Sequence, residues 1–136
     1  MGTSRRKYIF IVLALLTLPA IVYAVTEIQY FTGRSEQDAI LLEWKTGIED
    51  NLNRFEIERS ASNPDNFIQI GTLNAIGNNS YYYYRDDLAM HPAPIYYYRL
   101  KLVDNNGGHT YSQVISVTHI ISGVRSTWGS IKAIFR

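Results

Sequence analysis

Tyrosine is the residue of this chain with the clearest capacity for recognition chemistry. Seven of its 11 tyrosines fall in two short runs, Tyr81 to Tyr84 and Tyr96 to Tyr98, and exposed aromatic rings offer an apolar face with a polar tip, the pattern by which proteins grip sugars. If each run is a β-strand, successive side chains point to opposite faces. Tyr82 and Tyr84 then face the core and Tyr81 and Tyr83 face out, while on the second run Tyr98 is inside and Tyr97 outside. The candidate glycan contacts are therefore Tyr81, Tyr83 and Tyr97. Packing of tyrosine against β-branched or charged neighbours across strands is the more frequent use of such residues.

Catalytic chemistry finds less support. Glu49 with Asp50, and Asp86 with Asp87, are paired carboxylates of the kind that acid/base hydrolysis needs. Neighbours on a strand face opposite ways, however, and neighbours on a loop are solvated, so neither pair converges on one bond. Ser60, Ser80 and Ser112 lack the Gly-x-Ser-x-Gly context of a nucleophile elbow. Asp65 with Asn66, and Asp104 to Asn106, are oxygen-rich segments that could ligate calcium, but the same residues are those that build plain turns. Gly107-Gly108 precedes no helix and so is not a phosphate loop. His91, His109 and His119 are widely spaced, without an HxH or HxxxH pair, and there is no cysteine, which removes thiolate metal sites, a cysteine nucleophile and disulfides together. The expectation is a binding protein rather than an enzyme, with no cofactor and no metal.

These residues sit in a chain of 136 residues, 46% hydrophobic, 13% aromatic and 18% charged, which is the size and composition of one folded domain. Its start is organised for export. Arg5-Arg6-Lys7 is a positive n-region, residues 8–18 are apolar, and Pro19 breaks the run before Val22-Tyr23-Ala24, a pattern that signal peptidase cleaves after Ala24. The alternative is an uncleaved single-span anchor over residues 8–25. Arg5-Arg6 lacks the context of a twin-arginine signal. Removing Arg5, Arg6 and Lys7 from the 13 basic residues leaves 10 against 12 acidic ones, a net charge of −2, so nucleic-acid binding has no electrostatic footprint.

From Val25 onward, period-2 alternation is interrupted by turn residues about every ten positions, the signature of an antiparallel sandwich. The pattern predicts strands over 26–31, 39–46, a segment around Phe55 and Ile57, 67–73, 81–85, 95–103 and 110–118, seven in all. Polar turns are expected at 33–38, 47–53, 63–65, 77–79 and 104–108. Ile40, Leu42 and Trp44 share one face. Phe55 and Ile57 are expected inside, with Glu56, Glu58 and Arg59 outside. Trp44, Phe55, Ile57, Tyr98, Leu100 and Leu102 form the expected core.

Leu42-Glu43-Trp44, Phe55-Glu56-Ile57-Glu58-Arg59-Ser60, Phe67-Ile68-Gln69-Ile70-Gly71, and the run from Tyr97 to Asp104 followed by Gly107-Gly108-His109-Thr110-Tyr111-Ser112 resemble the fibronectin type III-like (immunoglobulin-like) modules of secreted Bacteroidota-type bacterial proteins. The resemblance covers residues 25–119. It implies an all-β, seven-stranded antiparallel β-sandwich with strands A, B and E in one sheet and C, C′, F and G in the other, and a tyrosine corner at Tyr98. In that topology Tyr81 and Tyr83 lie on a different sheet from Tyr97. Such modules serve as spacers, adhesion units and carbohydrate-enzyme accessories, so the resemblance speaks to fold and not to one function. The Pro-Asn-Pro opening of the β-rich sorting domain that often follows these modules is absent from the sequence.

Residues 120–136 differ in kind from the body. Val124, Trp128, Ile131 and Phe135 recur at helical spacing beside the basic Arg125, Lys132 and Arg136, with Ser126 or Thr127 as a cap. This basic amphipathic tail is expected to form a short helix that contacts a protein partner or a membrane surface; its alternative is to fold back on the domain. The chain is thus organised as a signal helix over 1–24, a sandwich over 25–119 and a tail over 120–136. Its expected role is an exported, non-catalytic binding or assembly module of the cell envelope or extracellular surface, membrane-anchored if the signal is uncleaved. A carbohydrate-binding accessory domain and a self-assembling subunit of a surface polymer are the alternatives.

Overall fold

In a computed structural model the described residues are 25–87 and 93–119. The expected signal segment, and the tail with Val124, Arg125, Trp128, Ile131, Lys132, Phe135 and Arg136, lie outside them. The described residues form eight strands: β1 (Ile28–Ser35), β2 (Ala39–Thr46), β3 (Leu52–Ala61), β4 (Ile68–Asn74), β5 (Tyr81–Asp87), β6 (Ile95–Asp104), β7 (His109–Tyr111) and β8 (Ile115–Thr118). All pairings are antiparallel. One sheet runs β1-β2-β5, the other β4-β3-β6 with β7 and β8 both along the far side of β6, which is the division that the sequence resemblance implies.

Alternation builds the core as expected. Ile40, Leu42 and Trp44 from β2 meet Phe55 and Ile57 from β3 and Tyr96, Tyr98, Leu100 and Leu102 from β6, all buried. Trp44 is the hub, stacked on Tyr82 at 5.3 Å between centroids and edge-on to Phe55 at 5.4 Å and Phe31 at 6.2 Å. Edge-on and offset rings let the quadrupoles attract as well as bury area.

Several expectations need correction. The first strand starts two residues later than expected and continues through the supposed turn to Ser35, because Gly33, Arg34 and Ser35 each find a partner on β2. The turn shrinks to Glu36–Asp38, closed by the Glu36 N–H donating to the Ala39 carbonyl at 2.8 Å. The expected seventh strand is two strands. Ser112 interrupts it, its Oγ accepting from the Leu100 N–H at 2.9 Å and donating to the Gln113 carbonyl at 2.8 Å, a local side-chain bond competing with the ladder.

Arg59 points inward, not outward. Period-2 continues from Phe55 and Ile57, and the guanidinium crosses between the sheets to Asp86 of β5, Nη1 lying 2.8 Å from both carboxylate oxygens. The tyrosine corner sits at Tyr96, whose hydroxyl accepts from the Ala93 N–H at 2.9 Å just upstream of β6, the backbone contact that defines the motif. Tyr98 instead donates to Asp86 Oδ2 at 2.8 Å. Glu56 and Glu58 do take the outer face of β3, yet both are buried, because the long side chains of neighbouring strands lie over them.

Candidate ligand-binding face

The two outer sheet faces differ sharply. On the larger sheet the charges answer one another: Arg54 and Lys101 hold Glu56 at 2.7 and 3.0 Å, and Arg99 holds Glu58 at 2.6 Å. The Arg99 guanidinium is also clamped between the rings of Phe67 and Tyr111, at 4.2 and 4.1 Å. Lys101 and Arg54 keep the Glu56 carboxyl below its ordinary value of 4.5. A face whose cations and anions are already paired has little left to offer a ligand.

The smaller sheet presents tyrosines instead. The ladder aligns Tyr30, Lys45 and Tyr81 in one row, Thr32, Glu43 and Tyr83 in the next, and Arg34, Leu41 and Arg85 in a third. Tyr83 is 74% exposed, Tyr81 66% and Tyr30 41%. Same-face neighbours along a strand stand about 7 Å apart and strands about 5 Å apart. Tyr81 and Tyr83 thus form a column on β5, and Tyr30 stands about 10 Å across from Tyr81 with Lys45 between them. Lys45 Nζ lies 4.9 Å from the centre of the Tyr81 ring, Arg34 holds Glu43 at 3.3 Å, and Arg85 closes the third row against Glu36, Asp38 and Asp87 at 2.8, 2.9 and 2.9 Å.

The alternate tyrosines of β5 anchor this column from behind. Tyr82 donates to Glu49 at 2.6 Å and accepts the Ile76 N–H at 2.9 Å; burial, with the Glu49 carboxylate adding to it, pushes its hydroxyl up to about 12. Tyr84 donates to the Ile70 carbonyl at 2.7 Å, beside the β4 irregularity where Ile57 pairs Gly71 but Glu58 pairs Gln69. Tyr82 packs on Phe55 of β3 at 4.8 Å and Tyr84 is bonded to β4, so both inward rings hold β5 against the other sheet behind Tyr81 and Tyr83.

Of the three tyrosines singled out by sequence, Tyr81 and Tyr83 are therefore brought together and Tyr97 is not. Tyr97 is half-buried on the other sheet, opposite Ser60 and Ser116. Tyr30 and Lys45 complete the face and were not singled out by sequence. The signal was present in Tyr30 preceding the inward Phe31, but choosing its face required the register across β2, which shifts between Ile28 and Tyr30.

The carboxylate pairs separate as strand geometry requires. Asp86 is buried against Arg59 while Asp87 turns out to Arg85; Glu49 is committed to Thr46, Tyr82 and the Gly77 N–H at 2.7, 2.6 and 2.9 Å. At the 104–108 turn, the Asp104 N–H donates to the Gly108 carbonyl at 2.8 Å and the Gly107 N–H to the Asp104 carbonyl at 3.0 Å. Among the described residues no three His, Asp or Glu side chains converge as metal ligands would. A shallow depression of about 370 Å³ beside Arg59, Asn63, Ile68 and Tyr96 has its one charge committed to Asp86.

No family model matches the sequence, and no curated protein matches it. Among solved structures, the chain is similar to an Fn3-like protein from Clostridium thermocellum, with 20% identity and a TM-score of 0.50 over 68% of this chain and 91% of that one. It is also similar to part of a pectate lyase from Erwinia chrysanthemi, with 25% identity and a TM-score of 0.49 over 68% of this chain; the match spans 28% of the lyase. The first likeness shows the fold, a fibronectin type III-like antiparallel sandwich.

Proposed function

We propose that this chain is an exported, non-catalytic binding module that engages glycans through the outer face of its three-stranded sheet, as an accessory of the kind found in secreted Bacteroidota-type proteins. The observation that carries the reading is the gathering of Tyr30, Tyr81 and Tyr83, all exposed, on one face of one sheet. Export rests on the Arg5-Arg6-Lys7 start, the apolar run and Val22-Tyr23-Ala24. Exposed aromatic rings held on a rigid strand lose little entropy when a sugar stacks on them, since the backbone is fixed and a tyrosine has only two side-chain torsions. Affinity electrophoresis of the full chain through polysaccharide gels tests it. Retardation by at least one polysaccharide, weakened about tenfold by Tyr83→Ala, the scale of one lost aromatic contact, supports the reading; a chain that no polysaccharide retards refutes it.

A second reading gives the contact to the tail. The spacing of Val124, Trp128, Ile131 and Phe135 beside Arg125, Lys132 and Arg136 suits docking to a protein partner or membrane surface, self-assembly included. The two separate cleanly, because deleting residues 123–136 leaves a tyrosine-face glycan site in place and removes a tail contact.

A further inference from the structure

The charge pattern of the described residues has one opening. Arg34, Arg54, Arg59, Arg85, Arg99 and Lys101 each have a carboxylate within ion-pair distance. Among the described residues Lys45 alone has none, and it stands in the same row as Tyr30 and Tyr81. Its ammonium group lies against the Tyr81 ring and the residue as a whole is half-buried, so the ring sets the direction of its charge.

We infer that the tyrosine face takes an acidic polysaccharide, a uronate-containing chain, with Lys45 receiving a sugar carboxylate while Tyr81 and Tyr83 stack on the rings. This rests on the glycan reading of the same face. The rest of the face selects the density of charge. Glu43 sits one row from Lys45, half-neutralised by Arg34, and Glu36, Asp38 and Asp87 surround Arg85 in the row beyond. With Lys45, Arg34 and Arg85 against those four carboxylates the surface is net negative, so a densely sulfated chain is repelled along most of its length. A uronate chain carries at most one carboxylate per sugar, and where successive sugars turn their carboxylates to opposite sides it can place one at Lys45 and lay hydroxyls and ring faces along the remainder. Glu43 also offers an acceptor to those hydroxyls.

The experiment uses the purified full chain with alginate, polygalacturonate and hyaluronan, each alongside its carboxyl-reduced counterpart, which keeps the sugar backbone and removes the charge. Dextran sulfate, which carries no uronate, serves as the sulfated comparison. The inference expects at least one uronate polymer to bind about fivefold more tightly than its reduced form, the scale of one partly exposed ion pair, with the difference shrinking at high salt. Lys45→Gln should abolish that difference, whereas Lys45→Arg should keep it. Tyr83→Ala should weaken both polymers together. Equal binding of charged and reduced polymers overturns the uronate assignment and leaves the glycan reading standing; dextran sulfate bound most tightly through Lys45 overturns it in favour of sulfate; absence of binding to all of them overturns both.

Discussion

Replacing Asp86 by Asn isolates the polar contact that joins the two sheets. Arg59 approaches both Asp86 oxygens at 2.8 Å, with the two side chains 12% and 7% exposed, and Tyr98 donates to the same carboxylate at 2.8 Å. Asparagine keeps the shape and can still accept from Tyr98, but it takes away the carboxylate charge that faces the buried Arg59 guanidinium, whose centre lies 5.6 Å from the Tyr96 ring. Removing one partner of a buried pair costs about 3 to 5 kcal/mol, a large share of the roughly 5 to 15 kcal/mol that stabilises a small domain. Urea unfolding followed by far-UV circular dichroism measures it. Arg59→Met alone should cost a similar amount, because Asp86 is then the orphan. The double variant Arg59→Met with Asp86→Asn should lose at least about 2 kcal/mol less than the sum of the singles, since neither charge remains to be desolvated. If Asp86→Asn unfolds within about 1 kcal/mol of the parent, the pair is not desolvated in solution and the inward placement of Arg59 is wrong.

Three further outcomes follow from the same contacts. The Tyr82 hydroxyl is raised from 10.0 to about 12, so its contribution is complete below about pH 10 and is lost as pH rises toward 12, by about 1.4 kcal/mol per pH unit for a group ionised only in the unfolded chain; Tyr82→Phe should lessen the alkaline slope of stability by about that amount, the Tyr84 and Tyr98 hydroxyls, also pushed up by burial, supplying the rest. The Glu56 carboxyl is held below 4.5 chiefly by Lys101 and Arg54, so its contribution is present above that value and is lost as pH falls below it; thermal melts under acid should fall less steeply for Glu56→Gln than for the parent. A Cβ on Gly71 would run into the Tyr84 ring, so Gly71→Ala should cost about 1 to 3 kcal/mol in urea titration, and much less in a Tyr84→Ala background.

What the sequence determined by itself is what depends on alternation and turn chemistry along one strand. Trp44, Phe55, Ile57, Leu100 and Leu102 are legible as core because their apolar side chains recur at every second position, and the inward choice of Tyr82 and Tyr84 follows from the same period. The division into two sheets came from the resemblance carried by those motifs. Tertiary structure alone decided how strands meet. A charge is costly in a core, and only the facing sheet shows that Asp86 is there to neutralise Arg59. Tyr96 takes the tyrosine corner because the chain before β6 brings the Ala93 N–H to its hydroxyl. Ser112 splits the last strand through a contact with Leu100, twelve residues away. The candidate face has the same origin: Tyr30, Lys45 and Tyr81 are far apart along the chain and become one row only through the register of β1 on β2 and β2 on β5, which is fixed by the burial of Phe31, Trp44 and Tyr82 behind them.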